Sequence, residues 1–122
     1  AFCGCHNLRE VTGIFNDGLQ KVGNGAFLDC VSLESIAIPS TVVEIGSNVF
    51  YGCNNLREVI FNNEGLQKIG VKSFFRCVSL ESITVPSTVV EIGERAFNGC
   101  SNLREIIFND GLRKIGAYAF FG

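Results

Sequence analysis

Histidine is almost absent from this sequence: His6, near one end, is the only one among the 122 residues. Nucleophilic catalysis by serine or cysteine needs a base beside the nucleophile. No nucleophile elbow or phosphate-binding loop can be recognised either. We therefore expect a protein that is not an enzyme, with no catalytic residues, no cofactor and no metal site.

An excess of positive charge is lacking as well, and so are long apolar runs. The net charge is −2 at pH 7, whereas nucleic acids and anionic membranes attract proteins that carry a basic stripe. No apolar run approaches the roughly 18 residues that span a bilayer. The sequence thus argues against nucleic-acid binding and against membrane insertion. Its hydrophobic content of 47% is nevertheless high enough for a real core and argues against disorder.

What the chain has instead is an internal repeat that recurs about every 23 or 24 residues. Except at the last Phe, where the sequence ends, each repeat carries Phe, then Cys three residues later, then Leu three residues after that, and it closes on Gly. The phenylalanines are Phe2, Phe27, Phe50, Phe74, Phe97 and Phe120, with steps of 25, 23, 24, 23 and 23 residues. The first repeat is longer because it has extra residues near Thr12 and Gly13.

The order of residues within a repeat predicts one strand followed by a return segment. Leu80, Ile83 and Val85 have the spacing of a leucine-rich repeat strand, and Pro86 ends the strand because it has no N–H to donate. The Ala-Phe step predicts a short helical or 3₁₀ corner, and the closing glycine predicts a bend that a Cβ would hinder.

A single repeat cannot bury both of its sides, but a stack of repeats can. The sequence therefore predicts a β-rich solenoid, a leucine-rich repeat array of five coils of about 23 residues. Its parallel strands are joined by short helical or 3₁₀ corners. We expect residues 1–122 to form a single solenoid domain that is a fragment of a longer array.

The repeat resembles the BspA-type leucine-rich repeats, the leucine-rich repeat 5 class, over the whole chain. One repeat shows all of the positions that carry the resemblance: Ala26-Phe27, Cys30, Leu33, Ile36, Ile38-Pro39, Val42 and Ile45-Gly46. The resemblance implies a recognition or adhesion protein at the surface of bacteria or unicellular eukaryotes, or secreted by them. Alternate repeats depart from the pattern by replacing Pro with Asn, which leaves the expected fold unchanged.

Charge alternates from one repeat to the next in two columns. The strand-side ladder, after each Leu, contains Arg9, Glu34, Arg57, Glu81 and Arg104. The return-side ladder, before each closing Ile-Gly or Val-Gly, contains Lys21, Glu44, Lys68, Glu91 and Lys114. Opposite charges on neighbouring strands contribute about 0.2–1 kcal/mol each, and like charges destabilise. We interpret both ladders as devices that fix the register of the coils rather than as binding sites.

Cysteine also occupies one repeated position. The Cys ladder consists of Cys5, Cys30, Cys53, Cys77 and Cys100. Stacked cysteines that face the same way are poorly oriented for disulfides, and a thiol packs well as a small hydrophobe. We expect these thiols to be buried and reduced. The Cys3-Gly4-Cys5 segment lacks the second ligand pair that a zinc site needs.

The outward side of the strands is the candidate binding surface. In the segment Glu105–Phe108, the two-residue period turns Ile106 and Phe108 inward and Glu105 and Ile107 outward. An apolar row beside acidic groups is typical of a partner site, although β-propensity alone also favours such residues. The candidate partner-binding residues are Glu58, Ile60, Asn62, Thr84, Glu105, Ile107 and Asn109.

The sequence thus favours a protein–protein interaction scaffold that binds another protein, or the subunits of a larger complex, along its strands. One alternative is a structural or accessory subunit, or a spacer, within a large assembly. Another is the targeting arm of an enzyme whose catalytic domain lies elsewhere. The family resemblance implies the cell surface or secretion. The column of reduced cysteines and the lack of Asn-x-Ser/Thr glycosylation signals favour an intracellular or organellar location, so the compartment stays open.

Overall fold

The computed structural model describes residues 10–11, 18–61, 65–107 and 113–120. They form a solenoid in which two short strands per coil are joined by turns. The strands are β1 (Glu10–Val11), β2 (Lys21–Val22), β3 (Ser35–Ile38), β4 (Glu44–Ile45), β5 (Glu58–Phe61), β6 (Lys68–Ile69), β7 (Ser82–Thr84), β8 (Glu91–Ile92), β9 (Glu105–Ile107) and β10 (Lys114–Ile115).

All strand pairs are parallel and join neighbouring coils. The even-numbered strands form the return side, one five-stranded sheet in the order β10-β8-β6-β4-β2. The odd-numbered strands form the strand face, which consists of a three-stranded sheet, β1-β3-β5, and a two-stranded sheet, β7-β9. The register follows the repeat, since Ser35 pairs with Glu58 and Ser82 pairs with Glu105. The predicted parallel solenoid is confirmed.

The corners contain no helix within the described parts of the chain, so the predicted helical or 3₁₀ corners are wrong. Ala26 N donates to Gly23 O of its own coil at 3.2 Å, but Phe27 N donates to Val49 O of the next coil at 2.9 Å. A helix would keep every amide bond within its own coil. Asp29 also takes a positive φ of 54°, a left-handed conformation that interrupts a helix. The corners are therefore successive turns whose alternate amides tie the coils together.

The core is built from columns of identical side chains. Five phenylalanine rings stack along the axis, with neighbouring centroids 5.5, 5.1, 5.1 and 5.4 Å apart. Each fully buried large side chain contributes roughly 1.5–3 kcal/mol. The stacked phenylalanines are Phe27, Phe50, Phe74, Phe97 and Phe120. Columns of Leu, Ile, Val and Cys complete the core.

The stack from Phe27 to Phe120 spans about four turns, one fewer than the five coils that the sequence predicts. Most of the first coil, including Cys5, Leu8 and the extra residues near Thr12, lies outside the described residues.

The closing glycines let successive coils approach each other closely. A Cβ added to Gly93 would lie 2.5 Å from Val71 N and 2.7 Å from Gly70 C in the preceding coil. The position therefore requires glycine because of backbone contact between coils, whereas the sequence predicted a bend. Within the described residues, no helix is long and apolar enough to cross a membrane.

Candidate functional site

The strand face shows the inward–outward alternation that the sequence predicts. In β5, Val59 is buried while Glu58 and Ile60 are exposed. In β7, Ile83 is buried between two exposed neighbours, because successive side chains of a strand point to opposite sides. The same period holds across coils, so the exposed residues form columns that run along the solenoid.

Among the described residues, Ile60 and Ile107 are the large apolar side chains that are exposed on this face. Ile60 is 42% exposed and Ile107 is 52% exposed, and Thr84, which pairs with Ile107, is also exposed. Glu58 and Glu105 stand two residues before Ile60 and Ile107, respectively, and their side chains are exposed on the same face. Five of the predicted site residues thus share one surface. The other two lie outside the described residues: Asn62 and Asn109.

A groove of about 400 Å³ opens on the strand face between β5 and β7. Ligand-binding clefts occupy about 300–1,000 Å³, so the groove is large enough to receive part of a partner. Three predicted site residues, Glu58, Ile60 and Thr84, line it. The remaining lining residues are Arg57, Val59, Phe61, Ser82, Ile83 and Pro86. The repeat pattern predicts an unbroken sheet and therefore contains no direct sign of this groove.

The two charge ladders differ in the structure. On the return side, Lys21 and Glu44 are register partners and form an ion pair of 3.3 Å. Lys68 and Glu91 are likewise partners at 4.0 Å. The return-side ladder therefore forms ion pairs at two of its steps, whereas within the described residues none joins Glu44 to Lys68 or Glu91 to Lys114. Exposed pairs of this kind contribute only about 0–1 kcal/mol.

The strand-side ladder keeps its alternating order but lacks these contacts around its fourth member. Within the described residues, Glu81 forms no ion pair with Arg57 or with Arg104. The groove lies between the coils of Arg57 and Glu81, but Glu81 and Arg104 lack an ion pair as well, although β7 and β9 are paired. The interpretation of both ladders as register devices stays a prediction, since only two of their steps show an ion pair among the described residues.

The Cys ladder is buried, as predicted, at its four described members: Cys30, Cys53, Cys77 and Cys100. None of these four forms a disulfide. Desolvation by burial raises the pKa of Cys53 and of Cys100 to about 12 and raises the pKa of Cys77 well above its usual value. Thiols held in this state are poor nucleophiles and poor metal ligands, because both roles need the thiolate. Cys3 and Cys5 lie outside the described residues.

The structure also exposes apolar side chains on the return side that the sequence reasoning missed. Val43 is 40% exposed and Val90 is 39% exposed, and they occupy equivalent positions two coils apart. Each valine directly precedes a two-residue strand, and so short a strand cannot display the alternation of inward and outward side chains. These valines are a useful comparison for the strand face because their exposure nearly equals that of Ile60.

A second missed feature lies at the corners. The rings of Tyr51 and Phe75 stack with centroids 4.9 Å apart. Lys72 Nζ lies 5.8 Å and the Arg76 guanidinium 5.4 Å from the centre of the Phe75 ring, within cation–π distance. The signal in the sequence was the aromatic residue that follows the core phenylalanine in these two repeats.

Comparison with protein families matches the BspA type leucine rich repeat region, in 6 copies, over residues 1–91 and 67–122. Comparison with curated proteins finds no match. Among solved structures, the leucine rich repeat protein TpLRR of T. pallidum is 34% identical, with a TM-score of 0.81 over 84% of this chain and 48% of its own. A leucine-rich repeat protein from Bacteroides ovatus is 34% identical, with a TM-score of 0.74 over 95% of this chain and 35% of its own.

A leucine rich cell surface protein from Faecalibacterium prausnitzii is 25% identical, with a TM-score of 0.58 over 93% of this chain and 38% of its own. This chain therefore spans less than half the length of each of these three proteins. The family match extends over the whole chain, and the structure shows the parallel coils that the repeat encodes. The chain belongs to the BspA-type leucine-rich repeat family.

Proposed function

We propose that this chain is a protein–protein interaction scaffold that binds its partner along the strand face. The observation that carries the proposal is the exposure of Ile60 and Ile107 in the middle of regular strands, where neighbouring side chains are buried or half-buried. Exposed apolar side chains that are grouped with polar neighbours are typical of interaction sites. Apolar side chains beside polar neighbours favour the binding of a partner rather than catalysis.

Charge supports the same surface. Glu58 and Glu105 stand beside the apolar row on the same face, with Ser82 between them. Two carboxylates separated by one coil favour a partner with basic side chains, which they would attract and orient. Asn62 and Asn109 extend the proposed row by sequence alone.

The repeat architecture and one similar protein bear on the setting of the proposed interaction. Repeat proteins of this type present extended surfaces to other proteins. The leucine rich cell surface protein from F. prausnitzii shares 25% identity with this chain, which supports a surface or secreted setting here. A role as an accessory subunit would use the same face but would require a permanent, stoichiometric complex.

Site-specific photo-crosslinking in cells tests the proposal. A photo-reactive amino acid replaces Ile60 or Ile107 on the strand face, and Val43 or Val90 on the return side serves as the control. Their exposures of 42%, 52%, 40% and 39% give the probe comparable access to solvent. We expect the same partner to be crosslinked from both isoleucine positions and from neither valine. Crosslinks from the valine positions alone would contradict the proposal.

A further inference from the structure

Basic and aromatic side chains lie together where neighbouring coils turn from the return side toward the strand face. Lys72 Nζ and the Arg76 guanidinium lie over the ring of Phe75, and that ring stacks on the coil below. The Arg95 guanidinium lies 5.3 Å from the centre of the Tyr118 ring in the next coil. Cation–π contacts therefore hold three cations against aromatic rings. This surface, the basic corner, consists of Tyr51, Lys72, Phe75, Arg76, Arg95 and Tyr118.

The backbone of the three cations adopts a conformation that long side chains rarely occupy. Lys72, Arg76 and Arg95 have φ angles of 53°, 61° and 55°, in the left-handed region that favours glycine. Glycine does occupy the equivalent positions in other coils, namely Gly25 for Lys72 and Gly52 for Arg76. The fold therefore does not require cationic side chains at these positions, and a binding role explains why they are there.

Hydrogen bonds between coils fix the backbone of the same three residues. Lys72 N donates to Glu94 O at 2.9 Å, and Arg76 N donates to Asn98 O at 2.9 Å. Arg95 N donates to a carbonyl oxygen of the next coil in the same way, at 3.0 Å. Because each amide is tied to the neighbouring coil, a ligand meets cations that are already in place, which lowers the entropy lost on binding.

Most of the positive charge at the basic corner is not neutralised within the described parts of the chain. There, neither Lys72 nor Arg76 forms an ion pair, and Arg95 pairs only with its neighbour Glu94, at 3.5 Å. Two of the return-side lysines, in contrast, each pair with a glutamate of the next coil. The other acidic residue of the described corners, Asp29, lies two coils away from Arg76. The basic corner is therefore a positive surface on a protein whose net charge is −2.

The side chains of the corner match carboxylates that are accompanied by apolar groups. Arg76 and Arg95 offer guanidinium groups, whose planar arrangement of donors fits a carboxylate. Val71 and Tyr118 are 41% and 59% exposed, and the Phe75 ring is half-buried, so apolar area lies beside the cations. An acidic polypeptide supplies both carboxylates and apolar side chains, whereas a sulfated polysaccharide supplies negative charge without apolar side chains. The chemistry thus favours a polypeptide ligand.

We propose that the basic corner is a second interaction surface, which binds an acidic segment of a partner protein. Carboxylates of the segment pair with Lys72, Arg76 and Arg95, and its apolar side chains pack on the rings of Phe75 and Tyr118. The exposed glutamates of the strand face have the opposite charge, so the two surfaces select segments of opposite charge. The proposal goes beyond the strand-face function and does not depend on it.

Intrinsic tyrosine fluorescence reports binding at this surface. Both tyrosines of the sequence, Tyr51 and Tyr118, belong to the basic corner, and the sequence contains no tryptophan. The probe is a synthetic peptide with blocked ends that repeats two glutamates and one leucine, and the control peptide has glutamine in place of glutamate. We expect the acidic peptide to change the tyrosine emission and to bind more weakly as salt rises. The glutamine peptide should bind about tenfold more weakly, since it loses charge-assisted hydrogen bonds.

Substitution by glycine separates a binding role from a structural one. In Lys72→Gly/Arg76→Gly both positions receive the residue that suits their backbone, so the protein should fold, as circular dichroism can verify, and it keeps both tyrosines. We expect this variant to bind the acidic peptide about tenfold more weakly. The control Lys21→Gln/Lys68→Gln removes the same amount of positive charge from the return side and should change the affinity less than twofold.

Equal binding of the two peptides, unchanged affinity of the glycine variant, or no binding at millimolar peptide would each overturn the proposal. Binding of heparin without binding of the acidic peptide would assign the surface to a polysaccharide and would overturn it as well. The strand-face variant Ile60→Ser/Ile107→Ser should bind the acidic peptide normally. Loss of peptide binding in that variant would place the acidic segment on the strand face, which also contradicts the proposal.

Discussion

The thiol of Cys77 donates a hydrogen bond to the carbonyl oxygen of Phe50 in the preceding coil, with Sγ and O 3.2 Å apart. Cys53 and Cys100 make the same contact with Phe27 and Phe74, at 3.1 and 3.0 Å. Each buried carbonyl thereby gains a donor, which a buried polar group needs. The Cys ladder is therefore a set of links between coils as well as part of the core.

The raised pKa of these thiols predicts how stability depends on pH. Burial raises the pKa of Cys53 and of Cys100 to about 12 in the folded protein, against 9.0 for an unperturbed thiol. Between these values the unfolded chain loses the thiol protons while the folded chain keeps them. The free energy of unfolding should therefore fall as pH rises above about 9, by up to about 1.4 kcal/mol per pH unit for each buried thiol.

Chemical denaturation of the protein and of Cys77→Ala at a series of alkaline pH values measures this effect. We expect a shallower decline in the variant, because one titrating thiol has been removed and all other groups are shared. Parallel declines would show that Cys77 does not titrate with a raised pKa. In the native protein at pH 8, the buried thiols should react with a disulfide reagent only as fast as the protein unfolds.

The closing glycine of each coil provides a stability prediction. In Gly93→Ala, the new Cβ would meet the backbone of Val71 at 2.5 Å, so the two coils must separate. We expect a loss of about 2–4 kcal/mol in the free energy of unfolding, as for other severe overpacking. Gly23→Ala is the control, since a Cβ there meets nothing within 4 Å. Thermal denaturation that gave equal losses for both variants would contradict the close-approach explanation.

Ser73 offers a change in the opposite direction. Its side chain is fully buried, and among the described residues its Oγ has no hydrogen-bond partner. Four of the other repeats have alanine at this position in the sequence: Ala1, Ala26, Ala96 and Ala119. Ser73→Ala should therefore stabilise the protein by about 1 kcal/mol, because the cost of burying an unsatisfied hydroxyl disappears.

Ser79→Ala is the matched control for that stabilisation. The Ser79 hydroxyl donates to Asn54 O at 2.7 Å near the surface, so its removal should be neutral or cost up to about 1 kcal/mol. Denaturant unfolding of both variants tests the difference. If Ser73→Ala proved as destabilising as Ser79→Ala, the Ser73 hydroxyl would have to make a favourable interaction in the folded protein.

Much of the fold follows from the sequence because the repeat applies the same constraint in every coil. Phe, Leu and Cys recur at fixed spacing, so their burial in columns could be predicted before the structure was known. The outward position of Ile60 and Ile107 followed from the two-residue period of strands. These predictions depend only on local periodicity, which a single sequence displays directly.

Two features could not be predicted because they depend on how neighbouring coils meet. The corners form turns rather than helices because alternate amides, such as that of Phe27, bond to the next coil. Propensity within one segment contains no information on this choice. The groove beside Ile60 likewise lies between two coils, whereas the repeat pattern describes each coil separately.

The most direct test of the central proposal compares two double variants for affinity toward the partner identified by crosslinking. Ile60→Ser/Ile107→Ser alters the strand face, and Val43→Ser/Val90→Ser alters the return side at similarly exposed positions. Neither pair belongs to the buried core, so both proteins should fold, as circular dichroism can verify. We predict that the isoleucine variant loses more than about 1 kcal/mol of binding free energy by isothermal titration calorimetry, while the valine variant binds normally. Unchanged binding of the isoleucine variant together with weakened binding of the valine variant would contradict the account.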